Sequence, residues 1–70
     1  MTISMVAVDS NCFSEIGFDE ELSLCQITFR HGRSYAAEMN LTVYEDFASA
    51  ASKGNFWRTH LRYYGWQRVG

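Results

Sequence analysis

The stretch LSLCQITFRHGRSYAAE, residues 22–38, decides the fold. Its first half concentrates β-branched and aromatic residues, and Arg30-His31-Gly32-Arg33 separates it from the second half, which runs from Ser34 to Glu38. Glycine at that point supplies the positive φ that a hairpin needs, so the stretch reads as two antiparallel strands, 22–29 and 34–38. Pairing Phe29 with Tyr35, and therefore Ile27 with Ala37 and Cys25 with Met39, gathers apolar side chains on one face. The other face then carries Gln26, Thr28, Arg30, Ser34, Ala36 and Glu38, the pattern of a sheet packed on one side and wet on the other.

Upstream, residues 11–18 set Cys12, Ser14, Ile16 and Phe18 against Phe13, Glu15 and Gly17, a strand with weak contrast between its faces. Asp19-Glu20-Glu21 reads as a polar turn, and residues 1–10 as an extra strand or a loose arm. Downstream, Thr42-Val43-Tyr44-Glu45 has the form of a capping box that opens a helix. Val43, Phe47, Ala50 and Ala51 recur at helical spacing, and Lys53-Gly54 is expected to end the helix with glycine in the left-handed position. Asn55 then caps a second, shorter helix containing Phe56, Trp57, Leu61 and Tyr64, stopped by Gly65. The expected fold is α+β: a small antiparallel β-sheet of about three strands, a β-meander, followed by two short α-helices packed on one face, all in a single domain over 1–70.

Composition agrees with a folded unit. The chain has 70 residues, 47% of them hydrophobic and 16% aromatic, with no proline, too apolar for a disordered tail. A core of this size leaves only a few kcal/mol of stability. Residues 1–52 hold all eight acidic and two of the six basic side chains, whereas 53–70 hold Lys53, Arg58, Arg62 and Arg68 and no acid. Such a split marks a nucleic-acid or acidic-partner surface, or two halves that neutralise each other across the fold.

Several function classes are disfavoured. No positively charged leader and no apolar run of signal or membrane length is present, which predicts a cytoplasmic protein with Cys12 and Cys25 reduced and packed as small hydrophobes. The soft ligands Cys12, Cys25, His31 and His60 fit no zinc framework, so no metal or cofactor is expected. No Ser-His-Asp order, nucleophile elbow or phosphate loop occurs, and the adjacent acids Glu20-Glu21 and Glu45-Asp46 diverge on regular backbone. A non-catalytic binding module without a small-molecule substrate is the expectation.

Two kinds of partner remain open. Arg58, His60, Arg62 and Arg68 interleave with Trp57, Tyr63, Tyr64 and Trp66, a mixture that suits single-stranded RNA or DNA because arginine neutralises phosphate and exposed rings stack on unpaired bases. On a helix Arg58 and Arg62 share one face, while Trp57, Leu61 and Tyr64 share another and read as core. The predicted nucleic-acid site is therefore Arg58, Arg62, Tyr63, Trp66 and Arg68. The alternative is protein binding, by a homodimer or through Glu15, Asp19, Glu20, Glu21, Glu45 and Asp46. Such an acidic surface can imitate phosphates, as in phage-encoded, anti-CRISPR-like inhibitors of bacterial defence complexes.

Residues 9–64 resemble the KTSC family, short domains named after the C-terminal extension of some lysyl-tRNA synthetases and also found free-standing in bacteria and phages. The resemblance lies first in Ser10 to Asp19, where Ile16-Gly17-Phe18-Asp19 matches an Ile-Gly-Tyr-Asp pattern with phenylalanine for tyrosine. It continues in Phe29, Gly32 and Tyr35, and then in Val43-Tyr44, Ala50, Ser52, Gly54, Phe56, Leu61-Arg62 and Tyr64. Two departures touch the centre of the pattern: Tyr-x-Tyr is reduced to Tyr35-Ala36-Ala37, and Asn40 replaces the proline before the first helix. The resemblance implies the α+β fold and, for function, RNA binding with the central aromatics as stacking groups.

Overall fold

The 22–38 hairpin forms, in a register two residues away from the expected one. In the computed structural model, which describes residues 3–70, β3 (Leu24–Phe29) and β4 (Ser34–Glu38) pair Cys25 with Ala37, Ile27 with Tyr35 and Thr28 with Ser34. The loop explains the shift. Phe29 N donates to Arg33 O (2.9 Å) and Gly32 N donates to Phe29 O (2.9 Å), so Arg30, His31 and Gly32 alone make the connection, with Gly32 at φ +102°. A three-residue loop closed by a left-handed glycine is a favoured hairpin connection, whereas pairing Phe29 with Tyr35 would leave five residues to close. A shift of two keeps each side chain on its face. Cys25, Ile27 and Ala37 are accordingly buried.

The sheet has five strands, not three, in the order β1-β2-β3-β4-β5, all antiparallel neighbours. β1 (Met5–Ala7) lies within the N-terminal stretch 1–10 read as an extra strand or a loose arm, of which residues 1 and 2 fall outside the described residues, and β5 (Gln67–Arg68) adds an edge after the helices. Strands of three and two residues are too short to leave a period in the sequence. Ala36, expected on the wet face, is buried at 7% exposure because β5 pairs Gln67 beside it.

β2 (Phe13–Asp19) explains its own weak alternation. A bulge between Phe13 and Glu15 resets the period, so Phe13 and Ile16, three residues apart, both face the core and are fully buried. At its far end Asp19 Oδ1 accepts from Glu21 N (2.9 Å) and Leu22 N (3.2 Å), which makes the polar turn.

α1 (Leu41–Ser49) is capped by Asn40, whose Oδ1 accepts from Val43 N at 3.0 Å. Thr42 is therefore a residue of the first turn and not the cap. The helix stops at Ser49 because Ala50 is extended, and Lys53 Nζ donates to the Ala50 carbonyl (3.3 Å). α2 (Lys53–Phe56) starts earlier than expected, on Ser52, whose Oγ accepts from Asn55 N (3.4 Å). It runs on without a break as a π-helical turn, Trp57–Leu61, closed by Arg62 N donating to Trp57 O (2.8 Å). Gly54 thus lies inside the helix.

Phe13, Ile16, Cys25, Ile27, Ala37, Met39, Phe47 and Leu61 form the core between the sheet and the helices. Both helical segments cover the same face, and the opposite face presents the cross-strand row Met5, Gly17, Gln26, Ala36 and Gln67. Among the described residues no helix is long and apolar enough to cross a membrane.

Burial gives Cys25 a measurable signature, since removal from water pushes its thiol up to about 12. Below pH 9 the thiol is neutral whether the chain is folded or not. Above it the unfolded chain ionises while the folded one holds its proton, so stability falls by about 1.4 kcal/mol per pH unit until the folded thiol also titrates. Thermal unfolding followed from pH 8 to 11 is expected to show that decline, and Cys25→Val to make it shallower, the remainder coming from Tyr44, whose hydroxyl is also pushed up by burial. Equal alkaline slopes for the two proteins would contradict the assignment.

Candidate functional site

The end of the sheet that carries the β3–β4 hairpin is lined with rings. Phe29 closes β3, His31 sits in the three-residue loop, Tyr35 lies on the core-facing side of β4, and Trp57 begins the π-helical turn. Phe29 is the hub: His31 stacks on it at 5.2 Å and 20°, while Tyr35 (5.6 Å, 80°) and Trp57 (5.8 Å, 85°) meet it edge to face. Such tilted contacts are the arrangement the ring quadrupole favours, and they hold each ring in place. With Arg62 and Trp66 these four side chains line an open cleft of about 400 Å³.

The π-helical turn brings the arginine to the cleft. In an α-helix a residue five positions on has turned about 140° past its starting direction. Here Arg62 N reaches back to Trp57 O, the i to i+5 bond that widens the turn and sets Arg62 near Trp57. Arg58 and Arg62, expected to share a face, consequently line different cavities: Arg62 the aromatic cleft, Arg58 a polar hollow on the other side of the helix.

The predicted exposed rings divide. Tyr63 is 74% exposed and lies under the Arg62 guanidinium (4.8 Å), which also donates from Nη2 to its hydroxyl (2.6 Å). Trp66 instead is half-buried: its Nε1 donates to the Leu61 carbonyl at 2.7 Å and its ring lies 6.2 Å from that of Trp57. Tyr64, expected in the core, is 39% exposed, because the chain leaves the helix after Leu61 and turns at Gly65. Arg68 pairs with Tyr35 across β4 and β5, so it stands on the cleft's side of the sheet. The Trp57 indole N–H is buried with no hydrogen-bond partner.

Four cleft residues, Phe29, His31, Tyr35 and Trp57, fall outside the predicted nucleic-acid set. Their signal was an aromatic on each side of the hairpin glycine, which reads equally well as core. The acidic residues do not converge. Glu15 alternates with Ile16 onto the open face of the sheet, Asp19, Glu20 and Glu21 form the β2–β3 turn, and Glu45 and Asp46 are exposed on α1, which packs on the opposite face. Among the described residues no three His, Cys, Asp or Glu side chains come together as a metal site.

Comparison with known proteins bears on this arrangement. The KTSC domain model matches residues 9–64 of the chain. Among solved structures, the crystal structure of a KTSC domain protein from Yersinia pestis superposes with a TM-score of 0.92, at 24% identity, over 99% of this chain and 100% of that one. At that identity the likeness speaks to the fold. No curated protein matches the chain.

Proposed function

The chain belongs to the KTSC domain family, and from its aromatic cleft we propose that it is a non-catalytic module that binds single-stranded nucleic acid, with RNA the expected ligand. The observation that carries this reading is the cleft of Phe29, His31, Tyr35, Trp57 and Trp66 with Arg62 at its margin. An open, ring-lined cleft accepts an unpaired base by stacking, worth about 1–3 kcal/mol per base. Arg62 and Arg68 supply phosphate contacts, and Tyr63, exposed beside Arg62, extends the platform.

Titration of Trp57 and Trp66 fluorescence with a short oligouridylate tests it. The two phosphate contacts at this cleft contribute about −1.4 to the slope of log K against log salt, and Arg62→Ala is expected to reduce its magnitude by about 0.7 while weakening binding about fivefold at low salt. Binding that ignores salt and Arg62→Ala would sink the reading. A second reading, protein binding at the acidic end, is favoured by Leu22, 48% exposed in the turn of Asp19, Glu20 and Glu21, with Glu38 across Leu24 from Asp19. No fluorescence change with RNA, together with a dimer by light scattering, would move the assignment there.

A further inference from the structure

A second cavity, of about 460 Å³, lies on the other side of the α2 and π-helical segment, where the loop before β2 meets the start of α2. Consecutive residues divide the two: Trp57 lines the aromatic cleft and Arg58 lines this hollow. Its wall is polar, with Ser10, Ser52, Lys53, Asn55 and Arg58 as principal groups.

The hydrogen bonds already made leave an excess of donors. Ser10 Oγ accepts from Cys12 N (3.1 Å) and Phe13 N (3.3 Å), which uses both of its lone pairs and leaves its O–H to donate elsewhere. Ser52 Oγ likewise accepts from Asn55 N (3.4 Å). Lys53 spends one ammonium proton on the Ala50 carbonyl (3.3 Å), and Arg58 donates from Nη2 to Asn55 Oδ1 (3.5 Å), which leaves the Asn55 amide NH₂ free to donate. Asp9, the single carboxylate on the wall, is exposed. Two positive charges, two hydroxyl donors and the amides of Asn11 and Asn55 face one exposed acid. That set suits a ligand that is anionic and only accepts.

We propose that this cavity is a phosphate-group site. On the nucleic-acid reading, on which this assignment of its ligand rests, it receives a phosphate of the strand whose base occupies the aromatic cleft. The phosphate is either a terminal monoester or an internal diester, which present the same oxygens. Charge-assisted bonds from Lys53 and Arg58 give such a site a contribution of about tenfold in affinity.

The test has two arms. In the first, inorganic phosphate is titrated into the ¹⁵N-labelled protein, and the backbone amides of residues 10–12 and 52–55 are expected to shift, less so in Arg58→Gln. In the second, a short oligouridylate with a 5′-phosphate and one with a 5′-hydroxyl are compared on the wild type, Arg58→Gln and Lys53→Gln, each checked for folding by circular dichroism. Tighter binding of the phosphorylated strand by about tenfold, lost in Arg58→Gln, identifies the terminal monoester. Equal binding of both strands, weakened about tenfold by Arg58→Gln, identifies the diester. Phosphate shifts without RNA binding would uphold the cavity and overturn the nucleic-acid reading. Absent shifts, with both variants binding RNA as the wild type does, would overturn the cavity and leave the aromatic cleft standing.

Discussion

Phe13→Ala is expected to leave the chain unfolded at 25 °C. Phe13 is fully buried, and its ring meets three others: Phe29 on β3 at 5.0 Å, Phe47 on α1 at 5.6 Å and Trp57 on the π-helical turn at 6.4 Å. Among the described residues it is the one side chain in aromatic contact with the sheet and with both helical segments. Truncating a buried phenylalanine costs about 3–5 kcal/mol, and a core of this size supplies about that much in total. Phe18→Ala is the control, since Phe18 is half-buried and its aromatic contact is a single stack on Tyr44 at 4.9 Å. It is expected to cost about 1–2 kcal/mol and to melt cooperatively. Near-ultraviolet circular dichroism and urea titration distinguish the two. A Phe13→Ala protein that melts within a few degrees of the wild type would mean that the helices do not depend on this ring.

The same side chain marks where the sequence is legible. The hairpin faces follow from period-2 alternation, which survives an error of two residues in register, so Cys25, Ile27 and Ala37 are placed correctly on a wrong pairing. Phe13 is not, because the bulge before Glu15 adds a residue that alternation cannot anticipate. Helix limits fail in a related way. Asn40, Thr42, Ser52 and Asn55 are all chemically able to cap, and the choice of Asn40 and Ser52 is made by where the chain must turn to seat Phe47 and Leu61. The π-helical turn has no sequence signature of its own. It separates Arg58 from Arg62 and draws Arg62 to Trp57, so the basic-aromatic composition of 53–70 does not reveal that these side chains line two cavities. What the sequence does carry is chemistry. The aromatic and basic residues are there to be counted, while their assignment to core, cleft or rim depends on tertiary contacts.

Gly54 shows how a position can be read for the wrong reason and still be required. Glycine after lysine suggests a left-handed helix end, yet Gly54 lies in the first turn of α2, where glycine costs up to about 1 kcal/mol relative to alanine. Its necessity is steric, because a Cβ there would lie 2.5 Å from Cys12 Sγ on the loop before β2. Gly54→Ala is therefore expected to destabilise the chain by about 2 kcal/mol, overpacking outweighing the gain in helix propensity. In a Cys12→Ala background the nearest remaining atom is the residue 12 Cβ at 3.4 Å, an ordinary contact. There the same substitution should change sign and stabilise by up to about 1 kcal/mol. Cys12→Ser, which keeps a γ atom, should leave Gly54→Ala harmful. A double-mutant cycle by urea unfolding reads all three, and a Gly54→Ala penalty that persists unchanged without the Sγ would place the constraint on Gly54 in the backbone and not in its contact with Cys12.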